Sequence, residues 1–298
     1  MLQVEGSVRL TGSRPTWKEL LAEDEPLVLP AAHDALTARL IARAGFRAYQ
    51  IGGFALAGAR HGFPDLELTH FGEESEAVRQ IVSACPLPVL VDGGDGFGDV
   101  KNVTRTVGGY EAMGVAAIFI EDQKSPPSCG QMGKKEVVPI AEMVGKVRAA
   151  AAARRNPDTF LLARTDARSA VGIDEAIRRG EAYMTAGADG VYVEGLRSAR
   201  ELKKVGKALA GVSLATTLME GGGKLGWLPP EEIRGYGFQM ILYPTTVLFR
   251  AARAIERALA DLKAGRPMPE DDAVDLDEFE KIVGLPGWAQ VEKRFKTE

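Results

Sequence analysis

Short, almost wholly apolar runs recur along the chain. Between them lie longer stretches whose apolar positions repeat every three or four residues. The short runs are Leu27–Pro30, Ala48–Gly52, Pro88–Asp92, Ala116–Glu121, Thr159–Arg164, Asp189–Glu194, Gly211–Ala215 and Gln239–Tyr243. A strand that is apolar on both faces belongs in a parallel sheet covered by helices, because a half-wet strand would alternate. The stretches Ala35–Ala44, Glu73–Cys85, Asn102–Met113, Ile140–Arg154, Ile173–Ala186, Ala199–Leu209, Pro230–Tyr236 and Val247–Lys263 carry the helical pattern. Gly114, Gly187 and Gly237 close three of them, where a helix ends in a left-handed residue. Eight such alternations predict an α/β fold, a (β/α)8 TIM-type barrel rather than an open doubly wound sheet. Residues 1–14 read as an N-terminal arm, 15–263 as the barrel, and 264–298 as a C-terminal helical extension packing on the barrel or on a neighbouring subunit.

Composition narrows the partners. The 298 residues hold 37 basic and 41 acidic side chains, a net charge of −4, with 45% hydrophobic residues. That balance suits a soluble globular protein and argues against nucleic acid as a partner. No apolar run approaches the roughly 20 residues that span a bilayer, so no membrane partner is expected. Met1 to Pro15 lacks the basic-then-apolar order of a secretory leader. Two cysteines, Cys85 and Cys129, make no disulfide framework, which fits a reducing, cytoplasmic setting.

In a barrel of this kind chemistry gathers at the C-terminal ends of the strands. Here those ends are polar. The second run ends at Gly52 and Gly53, whose backbone N–H groups can face an anion. The third ends at Asp92, before a glycine-rich turn holding Asp95; the fourth at Glu121; the fifth at Arg164; the sixth at Glu194; the seventh is followed by Thr216. Any one carboxylate could be a helix cap, but the series is harder to explain that way. Asp92, Asp95 and Glu121 are hard oxygen donors of the kind Mg2+ takes, one or two at a time. Arg164 offers a fork to a substrate carboxylate. Gly94, Gly96 and Gly98 lack dinucleotide-binding spacing, and Asp95 and Asp99 would repel a pyrophosphate. Cys129 lies in a polar loop near lysines, which can lower a thiol pKa, or it is an unreactive loop thiol. His33, His61 and His70 lie near strand ends and read mainly as structural groups; Cys85 reads as buried filler.

At these residues the chain resembles the isocitrate lyase/phosphoenolpyruvate mutase family, and within it the short 2-methylisocitrate and dimethylmalate lyases. Ala32-His-Asp-Ala-Leu-Thr-Ala-Arg39, Gly62-Phe-Pro-Asp65, Gly96-Phe-Gly98, Glu121-Asp-Gln123, Cys129-Gly130, Ala163-Arg-Thr-Asp-Ala167 and Leu242-Tyr-Pro244 carry the resemblance. It implies Mg2+, or Mn2+ in its place, and a small anionic carboxylic acid as substrate. It also implies a homotetramer, a dimer of dimers that exchange their last barrel helix. By position, Asp92 and Glu121 would serve the metal, with Asp95 one place beyond the family's second aspartate, and Asp65 would be the acidic residue beside metal and substrate. Gly52, Gly53, Arg164 and Glu194 would bind substrate, together with Thr216, which stands where the family carries an asparagine. Cys129 would be the acid/base thiol of the closing loop. The chain departs from the lyases at Pro127 and Gln131, where they carry a lysine and a histidine, at Ile51 for a serine, and at Gly94 for an aspartate.

The expected function is a Mg-dependent carbon–carbon lyase. It would cleave a 2-hydroxy di- or tricarboxylic acid, a substituted malate or a methylisocitrate-like acid, to a 2-oxo acid through an enolate. Oxaloacetate decarboxylation or hydrolysis, phosphonomutase-type chemistry on a 2-oxo acid, and a non-catalytic acid-binding barrel are the alternatives.

Overall fold

The computed structural model describes residues 14–125, 135–221, 223–269 and 271–296. Eight parallel strands form one sheet: β1 (Leu27–Pro30), β2 (Tyr49–Ile51), β3 (Val89–Asp92), β4 (Ala117–Glu121), β5 (Phe160–Thr165), β6 (Gly190–Val193), β7 (Ser213–Thr217) and β8 (Phe238–Tyr243). Their order is β1-β8-β7-β6-β5-β4-β3-β2, all neighbours parallel. A parallel bridge from Ala31 to Gln50 joins the two end strands and completes the ring. This is the TIM-type barrel that the alternation predicts.

The helices of six or more residues are α1 (Trp17–Ala22), α2 (Ala35–Arg43), α3 (Phe71–Ala84), α4 (Val100–Ala112), α5 (Ile140–Ala153), α6 (Ile173–Ala186), α7 (Ala199–Ala208), α8 (Pro230–Gly235), α9 (Thr246–Lys263), α10 (Leu276–Val283) and α11 (Leu285–Phe295). Several start where a short polar side chain satisfies an orphan N–H: Asp34 caps α2, Asp99 caps α4 and Ser198 caps α7. Asp99 is thus a capping residue. Gly114, Gly187 and Gly237 all have positive φ, as their place between helix and strand requires.

The barrel is filled rather than hollow. Leu29, Leu90, Phe119, Leu162, Tyr192 and Met240 pack inside it. Trp17 and Leu20 of α1 join the same cluster, and the Trp17 indole N–H reaches the Met240 sulfur at 3.5 Å. Outside the ring, the other strand faces pack against the helices in two further clusters. Each strand therefore has both faces dry, which is why its sequence reads as a continuous apolar run. The C-terminal extension is helical and touches α2: Arg43 Nη2 lies 2.8 Å from Glu278 Oε1, and Ile282 is buried. Among the described residues no helix is long and apolar enough to cross a membrane.

One strand differs from its sequence boundary. β7 runs Ser213–Thr217, two residues later than the apolar run, and its pairing with β8 shifts register between Leu214 and Ala215. The shift carries Thr216 and Thr217 into the strand.

Candidate active site

Parallel strands deliver their C-terminal residues to one rim, and the glycine turn after β3 draws two of them together. Gly93 donates to the Phe119 carbonyl (2.8 Å), and the Glu121 N–H donates to the Gly94 carbonyl (2.8 Å). This tuck leaves no room for a side chain at Gly93 or Gly96. A Cβ on Gly93 would lie 2.7 Å from the Phe119 oxygen, and one on Gly96 would lie 2.2 Å from a Val103 methyl. The turn thus places Asp92 and Glu121 side by side on one cleft.

The cleft is partly open to solvent and is lined by Asp65, Glu67, Glu74, Asp92 and Glu121, with Arg164, Thr69, Gln123, Gly53 and Gly94 among the others. Asp92 Oδ2 accepts from the Gly53 N–H (3.1 Å) and Oδ1 from the Gly94 N–H (2.9 Å). Arg164 is clamped by carboxylates on three nitrogens. Nη1 lies 3.0 Å from Glu121 Oε2, Nε 3.0 Å from Asp166 Oδ2, and Nη2 3.3 Å from Asp166 Oδ1. Behind it, Glu194 accepts from the Thr217 hydroxyl (3.0 Å) and from Tyr192.

Charge here is one-sided. Five carboxylates and one guanidinium line the described cleft. Burial pushes the Asp92 and Glu121 carboxyls up, against the pull of Arg164. Burial also works against the charge of Glu194, but Arg164 and Lys135 outweigh it and hold that carboxyl low. Arg164 itself is held protonated: burial opposes its charge, and Glu121 foremost, then Tyr192, Glu194 and Asp92, override it.

A divalent cation fits such a donor set. It consists of oxygen atoms crowded until burial and mutual repulsion oppose their ionisation, which a bound dication relieves. No three carboxylate, histidine or cysteine side chains converge as a preformed cage among the described residues. Mg2+ needs none, since it keeps several waters and takes one or two carboxylates.

The family is decided by the match of its sequence profile, described as phosphoenolpyruvate phosphomutase, to residues 17–263. The chain belongs to this family.

Its relatives place it more finely. It is 39% identical over 282 residues, 94% of this chain and 97% of the relative, to 2,3-dimethylmalate lyase of Eubacterium barkeri. Its fold matches a structure of oxaloacetate acetylhydrolase in complex with 3,3-difluorooxalacetate, with a TM-score of 0.90, 30% identity and coverage of 95% of this chain and 97% of that one. It also matches a phosphonopyruvate hydrolase complex with oxalate and Mg2+, with a TM-score of 0.83, 29% identity and coverage of 93% and 97%. Named members of the family are thus lyases, mutases and hydrolases of small acids.

Against that background the expected site residues separate. Asp65, Asp92, Glu121, Gly53 and Arg164 line one cleft. Asp95 is turned away onto α5: Lys146 Nζ lies 3.2 Å from its Oδ2 and 2.8 Å from its carbonyl, while its Oδ1 is buried without a hydrogen-bond partner. Gly94, beside it, lines the cleft instead. Gly52 caps the short helical turn Gly53–Leu56, its carbonyl taken by the Ala55 and Leu56 N–H groups. Thr216 is fully buried in β7, and it is Thr217 whose hydroxyl reaches Glu194. His33 bonds Thr37 (3.2 Å), His61 stacks on Phe63, and His70 caps α3. Cys85 is buried. Cys129, with Pro127 and Gln131, lies outside the described residues.

Three polar residues of the cleft were not singled out from the sequence: Glu67, Thr69 and Glu74. Glu74 sits in the first turn of α3, where an acid is ordinary because it favours the helix dipole. Only its position behind Gly53 and Asp92, bonded by the Thr69 hydroxyl (2.9 Å), distinguishes it. Burial, with Asp92, Asp65 and Glu67 nearby, pushes its carboxyl up to about 8, although Thr69 pulls the other way.

That shift has a sign. The folded state holds a proton that the unfolded chain releases near pH 4.3, so the contribution is complete below that pH and is lost as pH rises toward 8. Urea unfolding in EDTA should therefore show stability falling between pH 5 and 8.5. Glu74→Gln should flatten the fall by about 1 kcal/mol or more. Parallel curves for the two proteins would contradict this.

Proposed function

We propose that the chain is a Mg2+-dependent carbon–carbon lyase. Its substrate would be a substituted malate or methylisocitrate-like 2-hydroxy acid, split into a 2-oxo acid and a second carboxylic acid. The observation that carries this reading is the meeting of Asp92, Glu121 and Arg164 on one cleft. Its close relation to 2,3-dimethylmalate lyase points to the same chemistry.

Asp92 and Glu121 would hold the metal, directly or through its waters. Bound Mg2+ would supply a Lewis acid at the substrate's 2-oxygen. Arg164 would take a substrate carboxylate, its guanidinium already fixed by Glu121 and Asp166. Asp65, on the cleft wall, would take the hydroxyl proton. The O–H electron pair then becomes the second bond of the new C=O, and the C2–C3 bond breaks. Its electrons leave on the carbon next to the departing carboxylate. That carbon takes a proton from the Cys129 thiol, as the resemblance to the lyases implies. Glu194, not among the residues that line the cleft, would act on the substrate through the charge of Arg164.

Hydrolysis or decarboxylation of oxaloacetate is the second reading. The likeness to oxaloacetate acetylhydrolase favours it, as do Pro127 and Gln131 in place of the lyase lysine and histidine. We also propose self-association through α9. No residue of that helix is buried, and its Phe249, Ile255, Leu259 and Leu262 are 42% to 73% exposed. A homotetramer with exchanged helices would cover them.

The decisive experiment offers substituted malates, oxaloacetate and phosphonopyruvate, following 2-oxo acid release with and without EDTA. Cleavage of a malate, abolished by EDTA and restored by Mg2+, is the expected result. Turnover of oxaloacetate with every malate inert would replace this reading by the second.

A further inference from the structure

Lys135 is a buried cation that the reading above does not use. Its ammonium is 3% exposed and pairs with Asp166, whose carboxylate is fully buried. The same carboxylate receives Arg164 through Nε and Nη2. A four-member chain of alternating charge results: Lys135, Asp166, Arg164, Glu121.

The charge count explains why the lysine is needed. Arg164 faces Asp166, Glu121, Glu194 and Asp92, four carboxylates against one guanidinium. A guanidinium so outnumbered has little attraction left for an anionic substrate. Lys135 neutralises Asp166 and also acts on Glu121 and Glu194. Just beyond Lys135, residues 136–138 pair antiparallel with 122–124: Gln123 bridges Val137, Lys124 N–H donates to the Glu136 carbonyl (3.0 Å), and Val138 N–H donates to the Asp122 carbonyl (2.9 Å). Asp122 in turn accepts the Asp166 N–H (2.9 Å). Both ends of the Lys135–Asp166 pair are therefore anchored to the end of β4.

We propose that Lys135 is a positioning residue: by neutralising Asp166 it holds Arg164 oriented and leaves its charge for a substrate carboxylate. This rests on the reading of the cleft as a metal-assisted site for small carboxylic acids, and it adds a role remote from the reacting atoms.

Calorimetric titration of the intact protein with oxalate in the presence of Mg2+ tests it. Lys135→Met should raise the oxalate Kd about tenfold or more, while the Kd for Mg2+ alone stays within about threefold. With a turned-over acid, KM should rise far more than kcat falls. Lys135→Arg should restore most of the affinity. In the double variant Lys135→Met/Asp166→Asn, one charge of each sign is gone. That protein should bind oxalate more tightly than Lys135→Met alone, whereas a merely structural role predicts that the two losses add.

Unchanged oxalate affinity in Lys135→Met, or additive loss in the double variant, overturns the proposal. Should Lys135→Met fail to fold, the double variant, which removes one buried charge of each sign, is compared with the unmodified protein. Affinity within about tenfold then supports the proposal, and lost binding overturns it. If the unmodified protein itself does not bind oxalate with Mg2+, the reading of the cleft fails instead.

Discussion

Replacing Arg164 with methionine is expected to lower kcat/KM for the cleaved acid by on the order of 10²–10³-fold and to destabilise the protein as well. The catalytic part follows from geometry. A bidentate, charge-assisted contact to a carboxylate is among the stronger polar interactions available, and this guanidinium is already held in place by Glu121 and Asp166. The stability part follows from what is left behind. Glu121 and Asp166 would lose their buried counter-charge, a situation that typically costs about 3–5 kcal/mol.

The pH dependence identifies the cause. In the unmodified protein Arg164 is the larger of the two cations that hold the Glu194 carboxyl low, so its contribution is present above the unfolded carboxylate pKa and is lost as pH falls through the folded value. The stability gap between the two proteins should therefore widen as pH rises from about 4 to 7, since carboxylates ionise across that range. Arg164→Lys keeps the charge but loses the fork, and should recover more stability than activity. Equal activity in Arg164→Met and the unmodified protein, measured well below either unfolding temperature, would remove Arg164 from the substrate site.

Cys129→Ser is expected to reduce malate cleavage by about 10²–10⁴-fold, the usual worth of a positioned acid or base. A serine hydroxyl cannot donate a proton as a thiol does at neutral pH. Asp92, Glu121 and Arg164 are untouched by the change, so Mg2+-dependent oxalate affinity should stay the same. The loss should therefore fall on kcat. A variant that keeps most of its activity would show that the thiol is not the proton donor. It would then favour oxaloacetate chemistry, which does not require one.

Pattern alone carried the reading a long way for particular reasons. Runs such as Val89–Asp92 and Ala117–Glu121 are apolar because both faces of each strand are packed. Their polar terminal residues therefore stood out, and parallel pairing obliges them to share a rim. Asp92, Glu121 and Arg164 were legible in this way. Asp95 was not, because successive positive φ angles at Gly94, Gly96 and Phe97 decide which neighbour in the turn faces the cleft. Gly94 does, and Asp95 meets Lys146 on α5. Glu74 was hidden for the opposite reason: in a linear reading it is one more acid in a helix's first turn.

What the chain's own order of residues determined is the architecture and the rim. Alternating periods dictate a parallel barrel, and a barrel dictates where strand-end charges gather. Which charge neutralises which was decided by the folded molecule. Lys146 reaches Asp95 across 51 residues, Lys135 reaches Asp166 across 31, and Arg179 reaches Asp122 across 57. Ion pairing depends on distance through space and on burial, and neither has a period along the chain.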